Sequence, residues 1–176
     1  MDLSLFPTVK TGSAYDINYK KLYEAGIRGI IFDIDNTLVM HDAPADENAA
    51  KLIERIHSEN IKTFILSNNG EKRVKTFADA VGSDYIFKAH KPDRKGFIMC
   101  MKRMGTDRRS TILIGDQLFT DMWGASNAGI RSIMVKRISF HEKYYIHLKR
   151  ILEYIVMIFY PLRSKKGVKE LEGALR

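Results

Sequence analysis

The sequence contains a single cysteine, Cys100, among its 176 residues. One cysteine cannot form an intramolecular disulfide, and it excludes a metal site built from several thiolates. Its neighbours in the stretch "FIMCMKRM" indicate the buried face of a helix, so we interpret Cys100 as a structural residue. A chain without disulfides fits the reducing cytosol, and a cytoplasmic protein is therefore the expectation.

Long hydrophobic runs are also missing. No apolar run approaches the roughly 18 residues that a membrane span needs. The first twelve residues, "MDLSLFPTVKTG", lack the basic segment and the apolar core of a signal peptide. Hydrophobic residues nevertheless make up 45% of the chain, which is the composition of a globular protein with a real core.

The net positive charge is small over most of the chain and concentrated near its end. The formal net charge is +8, of which residues 136–176 contribute +6 and residues 1–135 only +2. A local excess of basic residues suggests a role in contacts with an anionic partner rather than a role in the fold.

Apolar runs alternate with amphipathic helical patterns along the chain. We predict strands at 28–34, 62–67, 84–89, 110–116 and 131–137, and helices at 47–60, 71–82, 94–105 and 120–129. Continuous apolar runs are typical of strands that are covered on both faces. The expected fold class is α/β: a doubly wound, Rossmann-like three-layer sandwich with a five-stranded parallel sheet. We assign this core to residues 1–137, and residues 138–176 to a basic amphipathic helix and tail.

Polar side chains follow four of the predicted strands, at or shortly after the point where each strand ends. They are Asp33, Asp35 and Thr37, then Ser67 and Asn68, then Lys91, and finally Asp116, Gln117 and Asp121. The carboxyl ends of parallel strands meet at one edge of the sheet, so these groups should share a crevice. Clustered carboxylates need a cation or protons to offset their repulsion, and oxygen ligands without His or Cys suit Mg²⁺. With a lysine to hold an anion, these are the parts of phosphoryl transfer through an aspartyl-phosphate.

The order "FDIDNTL … ILSNN … HKPDRKGF … ILIGDQLFTD" resembles the four motifs of the haloacid dehalogenase (HAD) superfamily of phosphatases. The resemblance covers about residues 15–135. It implies that Asp33 is the nucleophile and that Asp35 is the general acid and base. It also implies that Ser67, helped by the Asn68 amide, binds the phosphoryl group, and that Lys91 neutralises the phosphate and the nucleophile.

The same resemblance implies a magnesium site. Asp116 would be its acidic ligand, together with the Asp33 carboxylate and the backbone carbonyl of Asp35. Asp121 would orient a metal-bound water or Lys91, with Thr37 and Gln117 as further supporting residues. Only one loop and one helix are predicted between Asp33 and Ser67, and one helix and one strand between Ser67 and Lys91. We therefore predict the capless subclass III, whose open site admits a large substrate or is closed by an oligomeric partner.

The stretches "SAYDINYKKLYEAGIRGIIFDIDNTL" and "GDQLFTD" further resemble small bacterial HAD phosphatases related to mitochondrial phosphatidylglycerophosphate phosphatase. This resemblance implies that phosphatidylglycerophosphate is the substrate, in phosphatidylglycerol synthesis. That subgroup usually has Gly-Asn-Arg after its last motif, where this chain has "WGASNAGI". One alternative is a soluble sugar- or nucleotide-phosphate phosphatase with an oligomeric lid. The other is a nucleic-acid- or ribosome-associated protein, although no recognised nucleic-acid module is present and no nucleic acid is expected as a partner.

The stretch 144–163 carries an apolar stripe with basic residues at both ends. One interpretation is a helix that lies on an anionic membrane surface through residues 144–166, which would make the protein peripheral at the inner face of the membrane. The other is a helix packed on the sheet or on a second subunit of a homo-oligomer. Residues 164–176 are predicted to be a frayed basic tail.

Overall fold

The computed structural model describes residues 5–139, 144–160 and 168–175. Its strands are β1 Val9–Thr11, β2 Gly29–Phe32, β3 Lys62–Leu66, β4 Asp84–Ile86, β5 Thr111–Gly115 and β6 Arg131–Val135. Its α-helices are α1 Tyr19–Glu24, α2 Glu47–Ser58, α3 Glu71–Val81, α4 Arg94–Met104, α5 Trp123–Ala128, α6 Tyr144–Met157 and α7 Val168–Glu172. A π-helical turn, Leu118–Met122, precedes α5, and two 3₁₀ turns span Ala14–Asp16 and Gly173–Leu175.

The strands form one sheet in the order β1-β6-β5-β2-β3-β4, and every pairing in it is parallel. Strand β2 lies in the interior of the sheet, where Ile31 pairs with Phe64 of β3 and with Leu113 of β5. All of its residues are buried, as the unbroken apolar run predicts. This arrangement confirms the prediction of a Rossmann-like α/β fold with a parallel sheet.

Helices cover both faces of the sheet. Side chains alternate along a strand, so Ile30 and Phe32 of β2 belong to one core and Ile31 belongs to the other. The first core also takes the apolar faces of α2 and α3, and the second takes those of α4 and α5. Cys100 of α4 is fully buried in the second core, in agreement with its structural interpretation.

The prediction of five strands is wrong, because the sheet has six. The additional strand is β1, which pairs with β6 at the sheet edge, Val9 opposite Ile133. It has only three residues, and its middle residue is the exposed Lys10. Such a segment shows no apolar run in the sequence, and its pairing partner lies more than a hundred residues away.

The prediction of a frayed tail is wrong for residues 168–175. They form α7 and the final 3₁₀ turn, and Val168, Leu171 and Ala174 are buried in the first core. The backbone N–H of Asn18 donates to the carbonyl oxygen of Ala174 at 3.0 Å, which joins the two ends of the chain. Residues 164–167 and 176 of that prediction lie outside the described residues, as do 161–163 of the predicted helix.

Candidate active site

The predicted site residues meet at the edge formed by the carboxyl ends of the strands. Strand β2 runs directly into Asp33, β3 into Ser67 and β5 into Asp116, while Lys91 lies in the loop after β4. The seven charged or hydroxyl residues of the predicted site are all buried, namely Asp33, Asp35, Thr37, Ser67, Lys91, Asp116 and Asp121. Burial of so many ionisable groups requires that they contact one another or a ligand.

Lys91 joins two of the carboxylates. Its Nζ lies 2.6 Å from Oδ1 of Asp33 and 2.6 Å from Oδ1 of Asp121. Burial lowers the pKa of Lys91, but the charges of Asp121 and Asp33 outweigh that effect, and the pKa lies above its usual value. The lysine therefore remains a cation beside the predicted nucleophile.

The surroundings of Asp33 disfavour the ionised form of its carboxyl group. Its pKa is raised to about 7, chiefly by burial and also by the neighbouring carboxylates of Asp121 and Asp35, against the opposing attraction of Lys91. One lysine thus does not fully offset the burial and the like charges. Any further positive charge placed beside Asp33 would favour its ionised form, which is the form that can attack phosphorus.

Asp33, Asp116 and Asp121 present carboxylate oxygens within 4.8 Å of one another. An all-oxygen, acidic donor set fits a hard divalent cation such as Mg²⁺. Within this group both oxygens of Asp121 already have protein partners. Oδ1 accepts a hydrogen bond from the Lys91 ammonium group, and Oδ2 accepts one from the Gln117 backbone N–H at 3.1 Å. Asp121 thus contacts Lys91, and its predicted role of orienting Lys91 or a metal-bound water remains a prediction.

The close approach of Asp121 depends on Gly115, the last residue of β5. A Cβ atom at position 115 would lie 2.7 Å from Oδ2 of Asp121 and 2.8 Å from its Cβ, far inside van der Waals contact. The neighbouring Asp116 also has a local partner, because the Thr37 hydroxyl donates to its Oδ1 at 3.5 Å. Gly115 was not among the predicted site residues.

Asp35 faces a different set of groups. Its Oδ1 accepts from the Asp42 backbone N–H at 2.9 Å and contacts Nη2 of Arg73 at 2.8 Å, while its Oδ2 accepts from the Asn69 side-chain amide. A tight turn directly after Asp35 orients the Asp35 side chain. In this turn Asn36 adopts a left-handed φ of 61° and its N–H donates to the Val39 carbonyl.

Arg73 is the contact that the sequence-based reasoning missed. It lies in the first turn of α3, six positions after Ser67, and its side chain is four-fifths buried, with 21% exposed. Its position in the sequence offered one usable signal. A helix that starts directly after a strand end places its first turn at the same edge of the sheet as the acidic residues.

The loop after β3 positions Lys91. The side-chain Oδ1 of Asn68 accepts from the Lys91 N–H at 2.7 Å, and its Nδ2 donates to the Lys91 carbonyl at 3.2 Å. Ser67 Oγ accepts from the Asn69 N–H at 3.2 Å. The Asn68 side chain thus holds the backbone of Lys91, and the phosphate-binding roles of Ser67 and Asn68 remain predictions.

A family model for haloacid dehalogenase-like hydrolases matches residues 40–129, about half of the chain. The chain belongs to the haloacid dehalogenase-like hydrolase family. The match begins after Asp33 and Asp35 and includes Ser67, Lys91 and Asp116.

A curated relative and two solved structures agree with HAD membership. The relative, "Probable phosphatase YqeG" from Bacillus subtilis, is 36% identical over 140 residues, which are 79% of this chain and 81% of that protein. The cobalt-bound deoxy-D-mannose-octulosonate 8-phosphate phosphatase YrbI of Haemophilus influenzae superposes with a TM-score of 0.53 at 14% identity, over 80% of this chain and 92% of that one. An uncharacterized protein from Listeria monocytogenes serotype 4b gives a TM-score of 0.51 at 16% identity, over 74% and 99%. The family and the curated relative confirm the prediction of an enzyme of the HAD phosphatase class; the two structures show the fold alone.

Proposed function

We propose that this protein is a Mg²⁺-dependent phosphomonoester hydrolase that works through an aspartyl-phosphate on Asp33. The observation that carries the proposal is the contact of one buried lysine with Asp33 and Asp121, beside Asp116. The phosphatase name of the Bacillus subtilis relative supports the same reaction class. Asp33, Asp116 and the backbone carbonyl of Asp35 would hold the metal ion, which would supply positive charge beside the phosphoryl oxygens.

The proposed reaction has two displacements at phosphorus. In the first, a carboxylate oxygen of Asp33 bonds to phosphorus, the ester P–O bond breaks, and the leaving alkoxide takes a proton from Asp35. In the second, Asp35 removes a proton from water, the water oxygen bonds to phosphorus, and the acyl phosphate bond breaks to release phosphate and Asp33. Lys91 offsets negative charge on Asp33 and on the phosphoryl group throughout.

The first test compares the wild type with Asp33→Asn in a Mg²⁺-dependent phosphate-release assay. Loss of the nucleophile should lower kcat by at least about a thousandfold. Asp79→Asn is the matched control, because Asp79 is an exposed aspartate on α3, and its activity should equal that of the wild type. Activity that persists in Asp33→Asn, or that does not need a divalent cation, contradicts the proposal.

For the substrate, we propose phosphatidylglycerophosphate, which is hydrolysed to phosphatidylglycerol. The sequence resemblance to the phosphatidylglycerophosphate phosphatase subgroup supports this choice. The short segments between the motifs support it as well, and we propose that the site has no cap: a loop and α2 fill the chain between Asp33 and Ser67, and α3 and β4 fill it between Ser67 and Lys91. A site without a cap can accept a headgroup that remains attached to a large assembly.

A substrate screen separates this proposal from a soluble phosphatase with an oligomeric lid. Phosphatidylglycerophosphate in mixed micelles should give a kcat/KM at least about a hundredfold above those of sugar and nucleotide monophosphates. The opposite ranking favours the soluble substrate and leaves the proposed chemistry at Asp33 intact. The assay should be run with Asp33→Asn in parallel, so that contaminating phosphatases are recognised.

A further inference from the structure

Helix α6 and the turn that follows it expose a continuous apolar surface. Six of the eleven exposed large apolar side chains among the described residues lie within nine positions of the chain. We call them the outer face: Ile151, Leu152, Tyr154, Ile155, Ile158 and Phe159, which are 49–75% exposed. At about 100° per residue they occupy roughly 160° of the helix circumference.

The opposite side of α6 is fixed to the protein. The buried Glu153 accepts hydrogen bonds from the backbone N–H groups of Leu118 at 2.8 Å and Phe119 at 3.3 Å. Val156 and Met157, next to Glu153 on the helix circumference, pack against the second core. The outer face is therefore the side of an anchored helix that the rest of the described structure leaves uncovered.

Glu153 also places the outer face near the active site. Leu118 and Phe119 follow Asp116 by two and three residues, in the turn that contains Asp121. Just beyond the helix, Tyr160 packs edge to face on Phe6 and lies under the ammonium group of Lys10. Glu153 thus attaches α6 to the predicted metal-binding loop. Tyr160, three residues beyond the end of α6, contacts Lys10 of the first strand.

The charge around the outer face favours one occupant. Between residues 151 and 159 the sequence has one charged residue, Glu153, and that residue is buried on the inner side. Basic residues stand in the sequence on both sides of this stretch: Lys149 and Arg150 directly before it, and Arg163, Lys165 and Lys166 four to seven positions after it. An exposed apolar face on a segment whose sequence is basic on both sides matches the acyl and headgroup layers of an anionic bilayer. A second copy of the chain bound to the outer face through its own outer face would instead bring the basic segments of the two copies together.

We propose that the outer face of α6 docks on an anionic lipid bilayer and that Glu153 keeps the Asp116 loop next to that surface. The docked helix lies in the membrane interface. In the described part of the chain, no helix has both the length and the hydropathy that crossing a membrane requires. The inference rests on the proposed lipid substrate for its biological purpose, since a substrate embedded in a bilayer is reached from the bilayer surface.

The test is co-sedimentation of the full chain with vesicles of equal parts phosphatidylglycerol and phosphatidylcholine, and with vesicles of phosphatidylcholine alone. Wild-type protein should bind the anionic vesicles at least about tenfold more strongly, and higher ionic strength should weaken the binding. The double variant Ile151→Ser, Ile158→Ser should lose at least about tenfold in partitioning. Ile98→Ser, Met99→Ser is the matched control, because it removes two exposed apolar side chains from α4 and should bind like the wild type.

Hydrolysis of the soluble ester p-nitrophenyl phosphate should be unchanged in both double variants, which shows that they are folded. The docking proposal is overturned if the wild type does not bind anionic vesicles, or if the α6 double variant binds them as well as the wild type does. It is also overturned if the wild type is a dimer that these two substitutions dissociate, with no vesicle binding. Vesicle binding without hydrolysis of phosphatidylglycerophosphate would leave the docking intact and reject the proposed substrate.

Discussion

At the residue scale, the site depends on how closely Asp121 can approach the backbone of β5. Its two carboxylate oxygens connect the Lys91 ammonium to the backbone N–H of Gln117. A buried ion pair of this kind stabilises a protein only when its geometry is maintained, because each charge has lost its hydration. Gly115 has no Cβ, and this leaves the space that Asp121 needs to reach both partners.

Gly115→Ala should therefore lower both stability and activity. The added Cβ would overlap Asp121, displace its carboxylate and weaken the contact with Lys91, at a cost of about 1–3 kcal/mol in the free energy of unfolding. Urea denaturation and phosphatase kinetics measure the two effects. Gly173→Ala is the control, because a Cβ at position 173 meets nothing within 4 Å, and its stability should remain near that of the wild type. A Gly115→Ala protein with unchanged stability and kcat would contradict the steric argument.

Arg73 acts at the same scale as a positioning residue for Asp35. Its guanidinium is one of three donors on that carboxylate, together with the Asn69 amide and the Asp42 N–H. Arg73→Ala should lower kcat about tenfold or more, since a misplaced acid transfers its proton less effectively. The loss should be larger for an alkyl phosphate than for p-nitrophenyl phosphate, whose leaving group needs no proton.

The control for Arg73 is Lys72→Ala, which removes an exposed cation from the same turn of α3 and should retain full activity. Equal losses on both substrates would assign Arg73 a structural role only. Asp35→Asn should show the same dependence on the leaving group with a larger loss, because it removes the proposed acid itself.

The residues that sequence reasoning located share one property: each is a polar residue at or shortly after the end of an apolar run. Asp33, Ser67 and Asp116 are of this kind, and parallel pairing alone brings them together. Arg73 and Gly115 are not. The proposed role of Arg73 depends on the direction of its side chain, and that of Gly115 on the lack of space for a Cβ, which would lie 2.7 Å from Oδ2 of Asp121; neither property has a sequence pattern.

At the scale of elements, the long periodic segments were predicted, whereas of the short ones β4 and α5 were predicted and β1, α1 and α7 were not. The helical stripes of α2, α3 and α4 and the apolar runs of β2, β3 and β5 are visible in the sequence because burial on a defined face selects them. Strand β1 and helix α7 have three and five residues, and tertiary pairing stabilises them rather than local preference. Residues 120–122 of the π-helical turn were predicted as part of an ordinary helix at 120–129, and residues 118 and 119 were not predicted to be helical.

Glu153 links two such elements, α6 and the π-helical turn. Its carboxylate binds two backbone N–H groups at the start of that turn, the position where a negative charge is most favourable. Glu153→Ala should lower the free energy of unfolding by about 1–3 kcal/mol, because both N–H groups lose their partner. Glu153→Gln retains an acceptor oxygen and should recover part of that loss. Urea denaturation gives the ranking, and an alanine variant as stable as the wild type would show that α6 does not hold the turn.

At the scale of the whole molecule, the two ends of the described chain complete one core together. Strand β1 extends the sheet beside β6, and the buried side chains of α7 join the core on the face of the sheet that α2 and α3 cover. The C-terminal residues 168–175 therefore stabilise the same domain that carries Asp33. The apolar residues Val168, Leu171 and Ala174 recur at a spacing of three, so they lie on one side of this segment and enter the core together.

The contribution of α7 to that core can be measured at Leu171, which is fully buried. Leu171→Ala should lower the free energy of unfolding by about 2–5 kcal/mol, because it leaves a cavity against the first core. Glu172→Ala is the matched control at the next position, where the side chain is exposed, and it should stay within about 0.5 kcal/mol of the wild type. Both variants should unfold in a single urea transition that coincides with loss of phosphatase activity. If Leu171→Ala were as stable as Glu172→Ala, α7 would not be part of the cooperative unit, and the active site would depend on residues 5–139 and α6 alone.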